Sequence, residues 1–133
     1  MFVKKTIDAL LNKETDLKSD PVIIRINKFD EKSAAEFIKQ MGEAHNTGQT
    51  IIPIIIDSYG GYVYALMSMI SAIKHATLPV ATIVQGKAMS CGAILTTFGE
   101  DGKRFSDPDA TMMIHDVSSF AGGKNEELKM SAK

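Results

Sequence analysis

The chain has 133 residues, of which 44% are hydrophobic and 23% charged, and its formal net charge is −1. This composition is typical of one globular domain and excludes a disordered chain. Fifteen basic residues against sixteen acidic ones give no electrostatic reason to expect nucleic acid as a partner. No apolar run approaches the roughly 20 residues of a membrane span. The single cysteine, Cys91, excludes an internal disulfide and fits a reducing compartment, so we expect a cytoplasmic protein.

The first half of the chain alternates helical and strand patterns. Apolar residues at helical spacing predict a short amphipathic helix over 2–11, followed by a polar connector over 12–20. β-branched runs predict strands over 21–26 and 51–56, with a helix over 30–45 between them. The second strand is apolar on both faces, as in a buried parallel sheet. Because Pro53 lacks a ladder donor, we expect a bulge at that position.

The second half continues the same alternation. We expect a helix over 63–75, a strand over 79–84, a turn over 85–90 and a helix over 90–99. Short strands are predicted over 104–105 and 111–115. The resulting order, β-α-β-α-β-α-β, predicts one α/β domain with a mainly parallel sheet.

Residues suited to chemistry follow three of the predicted strands, at the sheet edge where α/β proteins bind ligands. Gly60-Gly61 lets a backbone approach a ligand and turn N–H groups toward it, although for the pair taken alone a tight strand-to-helix turn is the favoured interpretation. Ser90, at the mouth of a helix, suits an exposed nucleophile or a helix N-cap. His115, closing a buried strand, suits a general base or a structural role. Their occurrence together favours a serine hydrolase.

Four segments in fixed order carry a family resemblance: 57–63 (DSYGGYV), 88–93 (AMSCGA), 102–105 (GKRF) and 113–115 (MIH). Together they resemble the ClpP family, the proteolytic subunits of Clp protease, from about Val22 to the C-terminus. The resemblance implies a ClpP/crotonase-like α/β fold with a mainly parallel sheet, its C-terminal part missing here. Residues 1–133 would form a single head domain, with an N-terminal helix and connector over 1–20. An α/β core over 21–117 and the start of a handle region over 118–133 would follow.

The resemblance also implies a set of site residues. Ser90 would be the nucleophile and His115 its general base. The backbone N–H groups of Gly61 and Cys91 would form the oxyanion hole, and no metal is involved. Three residues depart from the family pattern, since Asp57 stands where asparagine is usual, Tyr59 stands where proline is usual, and Tyr62 is bulkier than usual. These departures suggest a divergent, phage-type member.

The acid of the family's catalytic triad lies downstream of the histidine, and the resemblance assigns it to no residue of this chain. Asp107 and Asp109, in the turn before the histidine strand, stay open as substitutes. Asp116 is a poor orienter of its neighbour, because adjacent strand residues point to opposite faces. We expect slow turnover without such an acid, which is worth about 10⁴ in rate. A fragment of a longer protein is favoured over a natural short form.

The function implied is that of a serine endopeptidase that hydrolyses unfolded proteins delivered by a Clp-family AAA+ ATPase. ATP would be used by that partner, and the subunit itself would need no cofactor. A heptamer-type homo-oligomeric ring is expected, with Met67, Met69 and Ile70 as candidates for its assembly faces, although core packing is the favoured interpretation of the methionines. The alternatives are a catalytically inactive assembly subunit and a crotonase-like acyl-CoA enzyme. A serine–lysine peptidase is a further alternative, in which Lys87 lies too close to Ser90 in sequence to be an obvious base.

Overall fold

The computed structural model describes residues 1–12, 14 and 16–114. Within that part of the chain the elements are, in order, α1 (Phe2–Leu11), β1 (Ile24–Ile26), α2 (Glu31–Ala44), β2 (Ile52–Ser58), α3 (Val63–His75), β3 (Val80–Met89), α4 (Cys91–Thr96), β4 (Arg104–Ser106) and β5 (Thr111–Met113). His115 and the predicted handle segment 118–133 lie outside the described residues.

The strands form one parallel sheet in which β3 is central. β1 pairs with β2 and β2 with β3, while β4 and β5 pair with the other side of β3. β4 lies beside residues 82–84 and β5 beside residues 87–89, so β3 changes partner between these two segments. The predicted α/β class is confirmed, and the carboxyl ends of β2, β3 and β5 share one edge of the sheet.

The isoleucines of β2 alternate between the two faces of the sheet. Ile54 and Ile56 pack with α2, α3 and α4 in the larger core. Ile55 packs on the opposite face with Ile7 of α1 and Ile83 of β3. Burial on both faces explains why β2 is a continuous apolar run rather than an alternating one.

The start of α2 is fixed by a reciprocal cap. The Asp30 carboxylate accepts the Ser33 N–H at 2.7 Å, and the Ser33 hydroxyl accepts the Asp30 N–H at 2.9 Å. Both N–H groups would otherwise lack partners at a helix start. The hydrogen bonds from Ser33 lower the pKa of Asp30.

Three predicted boundaries differ from the structure by at least three residues, each for a local reason. β1 is three residues shorter at its start because the side chain of Gln49 takes the place of a neighbouring strand. It accepts the Val22 N–H at 2.7 Å and donates to the Val22 carbonyl at 3.1 Å. The predicted turn over 85–90 is mostly strand, since β3 runs on to Met89. α4 ends at Thr96, and the chain then tightens into i→i−3 hydrogen bonds.

The bulge expected at Pro53 is also absent. Pairing of β2 with β3 is regular from Ile52 to Ile56, and the register shifts only between Ile56 and Ser58. Ile52 donates its N–H to Pro79, on the β3 side, so the donor that Pro53 lacks would face β1. Pairing of β2 with β1 begins one residue later, at Ile54, so Pro53 removes no hydrogen bond from the sheet.

The residues proposed for assembly faces divide between core and surface. Met69 is fully buried, Ile70 is partly buried, and Met67 is 54% exposed. Core packing is therefore the right interpretation for Met69. No helix in the described ranges has both the length and the hydrophobicity needed to cross a bilayer.

Candidate active site

Two strand-to-helix turns meet at the carboxyl edge of the sheet. Gly60, in the turn after β2, has φ +110° and lies against Ser90, in the turn after β3. A Cβ at Gly60 would stand 3.0 Å from the Ser90 Cβ and 3.0 Å from the Met89 carbonyl oxygen. Only glycine meets both demands, because its backbone tolerates this φ and it brings no side chain.

The second glycine is held by a different neighbour. A Cβ at Gly61 would stand 2.5 Å from the Phe29 carbonyl oxygen. That oxygen accepts the Tyr62 N–H at 2.8 Å, which fixes the turn against the segment after β1. The Gly61 carbonyl in turn accepts the thiol of Cys91 at 3.5 Å. The two residues predicted to form an oxyanion hole are therefore direct neighbours.

Ser90 has an unusual backbone conformation. Its φ is +55° and its ψ is −116°, the only positive φ of a non-glycine residue in the described part of the chain. Conformations of this kind cost on the order of 1–3 kcal/mol and cluster at active sites. Ser90 occupies the N-cap of α4, yet its side chain makes no capping hydrogen bond. Ordinary helix capping therefore does not explain the serine.

Backbone contacts on both sides hold Ser90 in place. Its N–H donates to the Met113 carbonyl of β5 at 2.8 Å, and its carbonyl accepts the Ile94 N–H of α4 at 3.1 Å. β5 thus ends beside Ser90. His115 follows Met113 by two residues and lies outside the described residues.

The Cys91 backbone and thiol have different environments. Cys91 is the first residue of α4, so its N–H has no acceptor within the helix. Its side chain is 2% exposed, and burial raises the pKa of the thiol above its usual value. The thiol is a buried, weakly acidic group, and only the N–H suits an oxyanion hole.

The candidate acids take different positions. The Asp107 carboxylate accepts the Asp109 N–H at 3.0 Å and so stabilises its own turn, while Asp109 is exposed. Asp116 lies outside the described residues. In the ranges that the structure describes, no three His, Cys, Asp or Glu side chains are gathered as metal ligands would be.

A charged pair at the site was missed by sequence reasoning. The Lys87 ammonium lies 2.7 Å from the Asp57 carboxylate and 4.6 Å from the centre of the Tyr59 ring. The hydrogen bond to Asp57 raises the pKa of Lys87, so the amine is protonated and a poor general base. A separation of 30 residues along the chain hides this pair from any local pattern.

Comparison with known proteins points to one family. A family model described as Clp protease matches residues 6–133. ATP-dependent Clp protease proteolytic subunit 1 of Chlamydia muridarum is 42% identical over 90 residues, which cover 66% of this chain and 46% of the relative. The ATP-dependent Clp protease proteolytic subunit of Deinococcus radiodurans is 37% identical over 82 residues, which cover 62% of this chain and 40% of the relative. The chain thus spans somewhat less than half the length of these curated relatives.

A pair of glycine-to-alanine variants tests the close approach at the site. Gly61→Ala should lower the free energy of unfolding by roughly 1–3 kcal/mol, because the new methyl group forces the Phe29 backbone to move. Gly42→Ala, on an open face of α2, should raise it by roughly 0.5–1 kcal/mol. Urea denaturation measures both. Equal stability of Gly61→Ala and the parent would contradict the packing described here.

Proposed function

This chain belongs to the Clp protease family, and from that premise we propose that it is a serine endopeptidase subunit with Ser90 as nucleophile. One observation carries the proposal. Ser90 is held in a strained conformation at a helix start without capping that helix, in close contact with a glycine turn. A serine with only a structural role needs no such conformation.

In the proposed mechanism the Ser90 hydroxyl attacks the carbonyl carbon of the scissile peptide bond. His115 takes the hydroxyl proton and later gives it to the leaving amine. The backbone N–H groups of Gly61 and Cys91 stabilise the negative oxygen of the tetrahedral intermediate. Water then hydrolyses the acyl-enzyme by the same proton transfers in reverse order. Support for this oxyanion hole comes from the contact between Gly61 and Cys91 and from the Cys91 N–H, which has no acceptor within its own helix.

The acid that orients His115 is a separate requirement. Asp107 is engaged in its own turn and Asp57 is paired with Lys87, so Asp109 is the candidate acid that stays open among the described residues. Turnover would be slow without such an acid, since its loss lowers the rate by about 10⁴-fold. The same observation favours a second candidate function, an assembly subunit that retains the fold without turnover.

The partners follow from the family. The relatives are named ATP-dependent proteolytic subunits, which supports a partner that uses the ATP. We propose a Clp-family AAA+ ATPase in that role, unfolded polypeptides as substrates, a heptamer-type ring of this chain and a cytoplasmic location. Membership of the Clp protease family sets aside the crotonase-like alternative, and the pairing of Lys87 with Asp57 argues against the serine–lysine one.

Hydrolysis of an unstructured fluorogenic peptide tests the nucleophile. We expect slow cleavage by the parent and none by Ser90→Ala, with cooperative thermal unfolding kept in both. Ser68→Ala removes an exposed hydroxyl of α3 that bonds its own helix, and should cleave as the parent does. Cleavage by Ser90→Ala at the parent rate would overturn the assignment. No cleavage by the folded parent would favour the assembly subunit.

The general base is tested by the rate at which a fluorophosphonate modifies Ser90. His115→Ala should slow the modification by about 10²–10⁴-fold, the usual contribution of a general base. His75→Ala is the matched control, because His75 lies at the end of α3 and bonds the Ser71 carbonyl. An unchanged rate in His115→Ala would remove His115 from the base role.

A further inference from the structure

The charged pair of Lys87 and Asp57 joins the two turns of the site. Asp57 lies three residues before Gly60, and Lys87 lies three residues before Ser90. Their side chains meet at 2.7 Å, and the Tyr59 ring adds a cation–π contact to the ammonium at 4.6 Å. The cluster of these three side chains therefore connects the turn of the proposed oxyanion hole to the turn of the proposed nucleophile.

The cluster sits where the sheet itself is interrupted. Ile56 pairs with Val84, but the next pairing is Ser58 with Ala88. One residue of β2, Asp57, thus faces a three-residue bulge over 85–87 of β3. Bulges break the ladder of backbone hydrogen bonds and re-aim side chains, and they recur beside active sites. This bulge places Lys87 opposite Asp57.

Packing at the bulge leaves little freedom. A Cβ at Gly86 would stand 2.9 Å from the Asp57 carboxylate, so the two strands are already in contact there. Lys87 supplies the charge that accommodates Asp57 at this position.

We propose that Asp57, Lys87 and Tyr59 form a positioning cluster that holds Gly61 in register with Ser90 across the β-bulge. The inference rests on the proposed function, because it assigns the cluster to the reactivity of Ser90. Partly exposed ion pairs contribute little to global stability. Reaction rates depend far more steeply on geometry, since displacing a reacting group by about 1 Å lowers the rate on the order of 10²-fold. The cluster therefore acts on reactivity more than on folding.

Charge and geometry at Lys87 are separated by two variants. Lys87→Met removes the ion pair and should slow fluorophosphonate modification of Ser90 by about 10–10²-fold. Lys87→Arg keeps a permanent charge that pairs with a carboxylate, and should restore most of the rate. Arginine stays protonated at the pH of the assay and cannot act as a general base. Failure of Lys87→Arg to restore the rate would therefore support Lys87 as a general base and overturn the positioning role.

A distant ion pair provides the matched control. Arg104 pairs with Asp101 on the exposed rim of the sheet, away from the bulge. Asp101→Asn should leave the modification rate at the parent value. Asp57→Asn should slow it as Lys87→Met does. Melting temperatures of all variants should stay close to that of the parent. If the role of the cluster were mainly structural, Lys87→Met and Asp57→Asn would lower the melting temperature.

Amide hydrogen exchange on the same variants separates this inference from the proposed function. Segments 57–62 and 86–92 should exchange several-fold faster in Lys87→Met than in the parent, and at the parent rate in Lys87→Arg. Unchanged exchange and unchanged modification in Lys87→Met would overturn the cluster. If Ser90 of the parent does not react at all, the proposed function fails, and the exchange measurement still decides whether the cluster holds the turns.

Discussion

The structure depends on the close approach of backbone to backbone at Gly60 and Gly61. Gly61 lies against the Phe29 carbonyl on one side, and Gly60 lies against Ser90 on the other. A side chain at either position would push the turn after β2 away from the turn after β3. Because these turns carry the proposed oxyanion hole and nucleophile, the absence of two side chains makes the rest of the site possible.

The sheet supplies the rigidity that this approach requires. β2 and β3 are buried on both faces, with one core against α2, α3 and α4 and another against α1. A positive φ at Ser90 persists because the residue is tied to β5 through Met113 and to α4 through Ile94. The bulge between β2 and β3 is the weak point of the sheet beside the site, and the pair of Asp57 and Lys87 spans it.

The sequence predicted features that are periodic or local. The bounds of α1 and α3 agree with the apolar spacing, and β-branched runs located the central strands. The extension of β3 to Met89 was missed because Gly86 suggests a turn, whereas pairing with β5 keeps the chain extended. The role of Gln49 and the pairing of Asp57 with Lys87 depend on contacts between distant parts of the chain, which no local pattern reports. The place of Ser90 after a predicted strand and its family motif both identify it as a candidate, but its strained backbone is visible only in three dimensions.

The account is tested most directly by mapping where a fluorophosphonate reacts with the folded chain. Intact mass followed by peptide mapping should show a single adduct, on Ser90, and none after the chain has been unfolded in urea. This result is predicted because only the fold places the hydroxyl in its strained turn beside Gly60 and Gly61. An adduct on another serine, or equal reaction of the folded and unfolded chains, would contradict the claim that this fold activates Ser90.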